Sequence, residues 1–249
     1  MGIQPHIMCG PGDVAKYVLL PGDPKRAEKI AKFFDDYRLV AEYRQYVTFT
    51  GSYKGIPVSV TSTGIGCPAA AIAVEELARI GAKCFIRVGT TGAIQPDIEI
   101  GDIIVAMAAV RADGTTRAYA PPEYPAVASP EVVRALLRAA KSLGIEVRSG
   151  IVVTGDAFYA ESAETVKSWS SLGVLSLEME AAVIFLLSQI KKLRAGAILA
   201  VDGNIVKGTR KGEFKKGEKK GELDPRVQKA IELETKIALE AIRILESTD

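Results

Sequence analysis

An arginine inside an apolar strand is the most unusual chemical feature of this sequence. Arg87 lies in the run Cys84 to Val88, which is followed by Gly89-Thr90-Thr91-Gly92. A buried guanidinium requires an anionic partner, and glycines beside threonine hydroxyls let a ligand approach the backbone closely. The stretch therefore indicates an oxyanion site, with phosphate as the leading ligand, at the carboxyl end of a strand. The alternative is that Arg87 pairs with a buried carboxylate of the protein.

A second candidate for the same kind of site follows the short strand predicted over Tyr17 to Leu20. There Pro21-Gly22-Asp23-Pro24 forms a glycine turn, and a helix that carries Arg26 begins directly after it. A helix N-terminus presents free amides and positive potential, so this turn could also bind an anion. The alternative is an ordinary turn beside a solvated arginine.

The segment Thr63-Gly64-Ile65-Gly66-Cys67-Pro68-Ala69 matches a dinucleotide-binding fingerprint between a strand and a helix. We reject that interpretation, because the fingerprint needs an acidic residue at the end of the next strand, and that strand ends at Gly89-Thr90. The glycines are instead expected to let the backbone pass close to the Thr90 site.

Carboxylates and an aromatic side chain follow further predicted strands. Glu178-Met179-Glu180 stands at the start of an apolar helix over Ala181 to Ile190, where the helix dipole alone would favour negative charge. The functional interpretation is that Glu180 accepts hydrogen bonds from a sugar diol while Met179 packs on its apolar face. Phe158, after the strand Val147 to Val153, is expected either to pack in the core or to stack on a flat ring.

Composition narrows the classes of function. With 249 residues, 48% of them apolar, we expect one domain spanning 1–249. A net charge of +2 gives no general reason to expect nucleic acid or a membrane as partner. The sequence has no apolar run of transmembrane length and no recognisable secretion signal, so we expect a cytoplasmic location. Three widely spaced cysteines and a single histidine, His6, argue against a disulfide framework and a multi-histidine metal site.

Hydrophobic periodicity predicts an α/β protein. Strands are predicted over Val47 to Tyr53 and Ile56 to Ser62, which form a hairpin, and over Ile103 to Val110 and Ala195 to Val201. Helices are predicted over Ala70 to Ile80, Pro130 to Leu143 and Pro225 to Leu245. The segment Lys207 to Lys220 contains seven basic and two acidic residues with interspersed glycines and is predicted to be a mobile loop.

In this order, the motifs resemble the nucleoside phosphorylase family, which contains purine nucleoside phosphorylase and uridine phosphorylase. The resemblance covers nearly the whole chain, and between Thr61 and Val127 it is most similar to uridine phosphorylase. The matching pieces are Pro21-Gly22-Asp23-Pro24 with Arg26, Ser62-Thr63-Gly64-Ile65-Gly66, Arg87-Val88-Gly89-Thr90-Thr91-Gly92-Ala93-Ile94-Gln95-Pro96 and Glu178-Met179-Glu180-Ala181-Ala182.

The resemblance implies a three-layer α/β/α sandwich with a mixed, partly barrel-like central sheet. It also implies a homo-oligomer built from dimers, a trimer or a hexamer, in which His6 and Arg44 reach the site of a neighbouring subunit. The resemblance implies neither a metal nor a cofactor. Inorganic phosphate would take part as a co-substrate. The implied phosphate ligands are Gly22, Arg26, Arg44, Arg87 and Thr90. The implied ribose ligands are His6, Met179, Glu180 and Thr90, and the implied base ligands are Thr91, Gly92, Phe158 and Glu178. The implied catalytic residues are Arg26, Arg87 and Glu180.

The activity implied is phosphorolysis of a nucleoside in nucleotide salvage, with uridine and phosphate giving uracil and ribose 1-phosphate. A purine nucleoside or methylthioadenosine phosphorylase is the alternative, a nucleosidase that uses water fits less well, and a non-catalytic nucleoside-binding protein represents a different class.

Two departures from the family pattern bear on which base is cleaved. Gly203 stands where purine enzymes carry a protonating aspartate, with Asp202 one place early and expected to point to the other face. The uracil-binding Gln-x-Arg is also absent from Ala160 to Lys167.

Overall fold

In the computed structural model, the residues described are 2–209 and 223–248. Within them, ten strands form one mixed sheet. The strands are β1 (Tyr17–Leu20), β2 (Asp36–Tyr43), β3 (Tyr46–Tyr53), β4 (Ile56–Thr61), β5 (Cys84–Ala93), β6 (Ile103–Ala112), β7 (Ala126–Val127), β8 (Arg148–Gly155), β9 (Ser176–Glu178) and β10 (Arg194–Asn204).

Five of these strands close into a ring. Their order is β10-β6-β8-β9-β5, and β5 pairs in turn with β10, so the first and last strands of the series meet. The remaining strands extend from β5 in the order β1-β4-β3-β2, and β7 adds to β6. The parallel pairs β5–β10 and β1–β5 bring three strand ends to one side of the sheet, which is where open α/β folds bind ligands.

Helices cover this sheet. α2 packs on α6, α4 packs on α7, and both α6 and α7 contact β10. The helical segments are α1 (Pro24–Ala31), α2 (Cys67–Arg79), α3 (Thr115–Tyr119), α4 (Pro130–Ser142), α5 (Ala163–Ser171), α6 (Ala181–Ile190) and α7 (Pro225–Glu246), with 3₁₀ turns at Phe158–Ala160 and Ile205–Lys207.

The elements nearest the sheet centre follow from their composition. β5 is buried along its whole first half, as expected for a strand with parallel neighbours on both sides. α6 is apolar on all faces, and its residues from Ala181 to Ser188 are buried, because it lies between the sheet and α2. No helix among the described residues is both long and apolar enough to cross a membrane.

Two strands run further than predicted. β5 does not break at Gly89 but continues to Ala93, because its backbone goes on pairing with β10 through Thr90–Ala200 and Gly92–Gly203. β10 likewise continues to Asn204, with a bulge between Val201 and Gly203. β2 and β9 were not predicted, since β2 is an exposed edge strand in which charged and apolar residues are mixed and β9 has only three residues. Most of the predicted loop Lys207 to Lys220 lies outside the described residues.

Candidate active site

A cavity of about 1200 Å³ opens where β1, β5, β8 and β10 end. The polar part of its lining comprises the turn after β1, Arg26, Arg87 and Glu180, and we call it the polar end. Val153, Val166 and Ile205 belong to one apolar cluster and also line the cavity, together with Phe158; we call this part the apolar end. The cavity therefore offers a charged subsite and an apolar subsite within one enclosure, an arrangement suited to a small ligand with an ionic part and a flat part.

Arg87 stands at the centre of the polar end and is 4% exposed. Its Nη2 is 2.5 Å from Oε2 of Glu180, and its Nε is 2.8 Å from Oε2 of Glu178, close enough for an ion pair although not aligned as a hydrogen bond. The alternative of a buried carboxylate partner is thus realised twice, and Arg87 also lines the cavity. Burial alone would lower the pKa of Arg87, but Glu180 and Glu178 raise it, and the net pKa lies above its ordinary value.

Gly89 makes room for that guanidinium. A Cβ at position 89 would stand 2.9 Å from Cζ of Arg87 and 3.0 Å from Nη2. Residues two apart on a strand share a face, so the Arg87 side chain folds back over the position where the Gly89 side chain would be. The sequence interpretation gave this glycine to the ligand, whereas the structure shows that it first accommodates Arg87.

Glu178 is fixed by the start of α6. Its carboxylate accepts hydrogen bonds from the backbone amide of Glu180 at 2.9 Å and from that of Ala181 at 2.9 and 3.0 Å. The Thr154 hydroxyl also donates to it. The helix start stabilises negative charge here, as the dipole argument predicted. Glu178 lines the cavity, but its oxygens are already bound by protein groups, and a contact with the base remains a prediction.

Glu180 is held from two sides. Oε1 accepts a hydrogen bond from the Gly66 amide at 2.7 Å, while Oε2 is bound by Arg87. Gly66 has a positive φ of 93°, a conformation that glycine adopts without strain. The glycine-rich segment does pass beside the site, but the Gly66 amide contacts Glu180 rather than Thr90. Met179 also lines the cavity, and its carbonyl accepts a hydrogen bond from the Cys67 thiol at 3.4 Å.

The turn after β1 completes the polar end. Arg26 lies in the first helical turn of α1 with its side chain 12% exposed, and it lines the cavity together with Gly22. A Cβ on Gly22 would approach the carbonyl oxygen of Gly64 to 3.1 Å, so the two glycine turns touch. The two arginines that the sequence singled out separately therefore share one cavity.

The predicted base ligands line the same cavity as the polar groups. Thr91, Gly92 and Phe158 contribute to its wall, as does Thr90, a predicted phosphate and ribose ligand. The Thr91 hydroxyl donates to the carbonyl of Leu177 at 2.8 Å, which ties β5 to β9. A Cβ at Gly92 would come within 3.3 Å of Ile205 Cδ1, so that glycine keeps the apolar end narrow but open.

His6 and Arg44 do not reach the cavity of their own chain. Nδ1 of His6 is 2.6 Å from Oε1 of Glu76 on α2, and the amides of His6 and Ile7 donate to Oε2 at 3.1 and 2.9 Å. The N-terminal segment is therefore pinned to α2. Arg44 occupies the turn between β2 and β3, exposed, with Cζ 5.4 Å from the Tyr43 ring centroid. Their contribution to another subunit's site stays a prediction.

Asp202 lies at a bulge in β10. The strand continues past it, but the bulge between Val201 and Gly203 interrupts the alternation of side chains, and both Asp202 and Gly203 line the cavity. The lining includes both residues, and that the Asp202 side chain points to the other face stays a prediction. Alternation fails here because a bulge inserts one residue without a partner on the neighbouring strand.

One buried carboxylate near the site was missed. Glu234 on α7 is 0% exposed, and its Oε1 lies 4.0 Å from Nη1 of Arg26. The sequence did carry a signal, since Glu234 falls at helical spacing between the buried Ala230 and Ile237, an apolar stripe in which an acidic residue is unexpected.

Cys67 packs in the hydrophobic core and takes no part in the proposed chemistry. Burial, followed by the carboxylates of Asp113 and Glu178, raises the pKa of its thiol far above the ordinary value. A thiol that stays protonated is a poor nucleophile and a poor metal ligand. All three cysteines are buried and free.

A family model described as the phosphorylase superfamily matches residues 16–243. The chain belongs to this superfamily. It is 48% identical over 262 residues to a uridine phosphorylase of Thermococcus kodakarensis, an alignment that covers 100% of this chain and 88% of that protein. It is 44% identical over 245 residues to a guanosine phosphorylase of Halorubrum lacusprofundi, with 98% and 100% covered.

Among solved structures, a purine nucleoside phosphorylase from Toxoplasma gondii in complex with immucillin-H superposes with a TM-score of 0.91 at 35% identity, covering 100% of this chain and 98% of that one. The predictions of the phosphorylase family and of an α/β fold with a partly barrel-like sheet are confirmed. The cavity described above is therefore a cavity in a member of the phosphorylase superfamily.

Proposed function

We propose that this phosphorylase cleaves uridine with inorganic phosphate, giving uracil and ribose 1-phosphate. The observation that carries the proposal is the placement of Arg26, Arg87 and Glu180 at one end of a cavity whose other end is apolar. A phosphate oxygen would attack the anomeric carbon while the bond to the uracil nitrogen breaks, and the bonding electrons leave with the base, which is protonated afterwards. Alignment and electrostatic stabilisation then account for most of the rate.

The phosphate would bind between Gly22, Arg26, Arg87 and Thr90. A further cationic ligand from outside this cavity is expected, because Arg87 is already paired with two carboxylates, Glu178 and Glu180. Arg26 alone offers little net positive charge to a phosphate dianion. We therefore retain Arg44 of a second copy as the additional cation, which makes a homo-oligomer part of the proposal.

The ribose would lie over Glu180 and Met179. Glu180 is held by the Gly66 amide and by Arg87, so its lone pairs are aimed before the sugar arrives, and binding costs little reorganisation. Thr90 and His6 of the second copy complete the proposed ribose contacts. The Glu76 carboxylate holds Nδ1 of His6, which leaves Nε2 available for a hydroxyl group.

The base would occupy the apolar end, beside Thr91, Gly92, Phe158 and Glu178. The tight turn at Ile205–Lys207 borders this end. Lys207, in this turn, pairs with Glu99 and does not line the cavity. Arg210 lies outside the described residues. With phosphate as co-substrate, the proposed reaction needs no further cofactor.

A purine nucleoside is the second candidate substrate, and a specific observation favours it. The bulge in β10 brings Asp202 into the cavity wall, where a carboxyl group could protonate a departing purine ring. One relative at 44% identity is named guanosine phosphorylase. Asp202 would then protonate the departing purine ring, because Gly203 has no side chain that could do so.

The deciding experiment measures base release from uridine, guanosine, inosine and methylthioadenosine, each with and without phosphate. Fastest phosphate-dependent release from uridine supports the proposal, and fastest release from guanosine or inosine supports the purine candidate. Release that does not depend on phosphate would identify a nucleosidase. Binding without release from any nucleoside would identify a non-catalytic binding protein.

A further inference from the structure

A buried carboxyl group that the proposed reaction does not use lies behind the phosphate end of the cavity. Glu234 is 0% exposed, and neither of its carboxylate oxygens makes a hydrogen bond of ordinary length and angle with the described residues, although the Ala200 amide lies near enough to favour the ionised form. Arg26 approaches it, with Nη1 4.0 Å from Oε1, which is the outer limit of an ion pair. An ionised carboxylate is costly in such a place, because buried charge needs close partners and hydrogen bonds.

The groups around Glu234 come from several elements. Arg26 faces it from α1, Arg87 from β5, and Asp202 together with the Ala200 amide from β10. α4 also packs on α7, but the buried residues of α4 are all apolar. Burial raises the pKa of Glu234 well above its ordinary range; Arg26, the Ala200 amide and Arg87 oppose that rise, and Asp202 adds to it.

We propose that Glu234 is a positioning residue of the anion site, which holds a proton while the anion is bound and so leaves the charge of Arg26 to the anion. Arg26 is the group through which it acts. When Glu234 ionises, its negative charge competes with the anion for the same guanidinium. Arg87 cannot replace Arg26 in this respect, since Glu178 and Glu180 already pair with it. The inference rests on the proposed function only in placing an anion beside Arg26.

Proton binding at Glu234 and anion binding at Arg26 are then coupled and reciprocal. A bound anion disfavours the ionised carboxylate and raises its pKa further. Anion affinity is therefore fully present below the pKa that Glu234 has in the free protein, and it falls as the pH rises through and above that value. For one coupled proton, the limiting loss is about tenfold in affinity per pH unit.

Sulfate is the suitable probe, because it has the shape of phosphate and remains a dianion from about pH 6 to about pH 9, whereas phosphate changes its own charge in that range. Its affinity is measured by calorimetry on the full chain for the wild type, Glu234→Gln and Glu240→Gln. Glu240 is the matched control, since it is a largely buried carboxylate on the same helix, 7% exposed, that pairs with Lys54 and Arg243.

The wild type and Glu240→Gln are expected to lose sulfate affinity as the pH rises, approaching about tenfold per unit. Glu234→Gln, a neutral isostere of the protonated acid, should keep the low-pH affinity within about threefold and lack that component of the pH dependence. If Gln at this position prevents folding, Glu234→Met keeps the volume without a charge and is expected to give the same flat profile.

Equal pH profiles in the wild type and Glu234→Gln would overturn the proposal. So would a loss of more than about tenfold in sulfate affinity for Glu234→Gln at low pH, which would mean that an ionised Glu234 orients Arg26. The proposed function fails separately. A chain that binds sulfate with the expected profile but cleaves no nucleoside refutes that function alone, whereas uridine phosphorolysis with an unchanged profile in Glu234→Gln refutes this inference alone.

Discussion

Replacing Gly89 by alanine tests whether the position of Arg87 limits the rate. The added Cβ would lie 2.9 to 3.1 Å from the three outer atoms of the guanidinium, whereas ordinary contacts begin at 3.4 Å. Arg87 must therefore move by roughly 0.5 Å, which is about the tolerance of a working catalytic geometry. Since a displacement of 1 Å can cost about a hundredfold in rate, we expect a loss of about tenfold in kcat/KM.

The same substitution should destabilise the fold modestly. Overpacking a rigid site typically costs about 1 to 3 kcal/mol, and Arg87 cannot move freely because Glu178 and Glu180 hold it at 2.8 and 2.5 Å. Initial rates with uridine and phosphate give kcat/KM, and urea unfolding gives the free energy of unfolding. Both are measured for the single variant and the wild type.

A double-mutant cycle supplies the control. In an Arg87→Met background the guanidinium is gone, so adding Gly89→Ala should change the free energy of unfolding by less than about 0.5 kcal/mol. If Gly89→Ala destabilises both backgrounds equally, the effect does not pass through Arg87, and the assignment of Gly89 to that contact is refuted. Full activity of the single variant would also contradict the reasoning.

Three further predictions concern the anion, the subunits and the base. Arg87→Ala should abolish most phosphate-dependent cleavage and lower the free energy of unfolding by about 3 to 5 kcal/mol, because two carboxylates lose their buried partner. Steady-state rates are measured against phosphate concentration, and an unchanged KM for phosphate would mean that Arg87 lies outside the site. Mixing His6→Ala chains with Glu180→Ala chains should restore part of the activity if sites are shared, and mixed oligomers verified by mass spectrometry that stay inactive would exclude sharing. Gly203→Asp should raise cleavage of inosine relative to uridine, as measured by the ratio of their kcat/KM values, and an unchanged ratio would mean that an acid at this position is not what purine cleavage lacks.

Local patterns were sufficient for the parts of the site that local physics determines. Arg87 was recognisable because a charge within an apolar strand demands a partner, and its partners, Glu178 and Glu180, were recognisable because a helix start favours carboxylates. The strand-turn-helix unit that carries Arg26 was also readable from its glycine and prolines. What the sequence left open was that these groups bind one another, since 91 residues separate Arg87 from Glu178 and only the folded sheet brings them together.

The remaining features depend on pairing that sequence does not display. β5 extends beyond Gly89 only because β10 offers it a partner, and the bulge at Asp202 exists only as a mismatch between those two strands. Glu234 approaches Arg26 only after α7 has docked. In each case a distant element decides the local conformation, which periodicity within a short window cannot reveal.

The closed ring of strands also implies an order of assembly. β5 and β10 pair from Cys84–Arg194 to Ala93–Asn204, a separation of about 110 residues, so closure is a late and entropically costly step. Until β10 has left the ribosome, β5 carries an open edge of hydrogen-bonding groups in the middle of an apolar strand, the kind of surface on which chains associate wrongly. The cavity forms only when that edge is covered. Pairing of β10 with β5 therefore both covers that open edge and completes the wall of the ligand site.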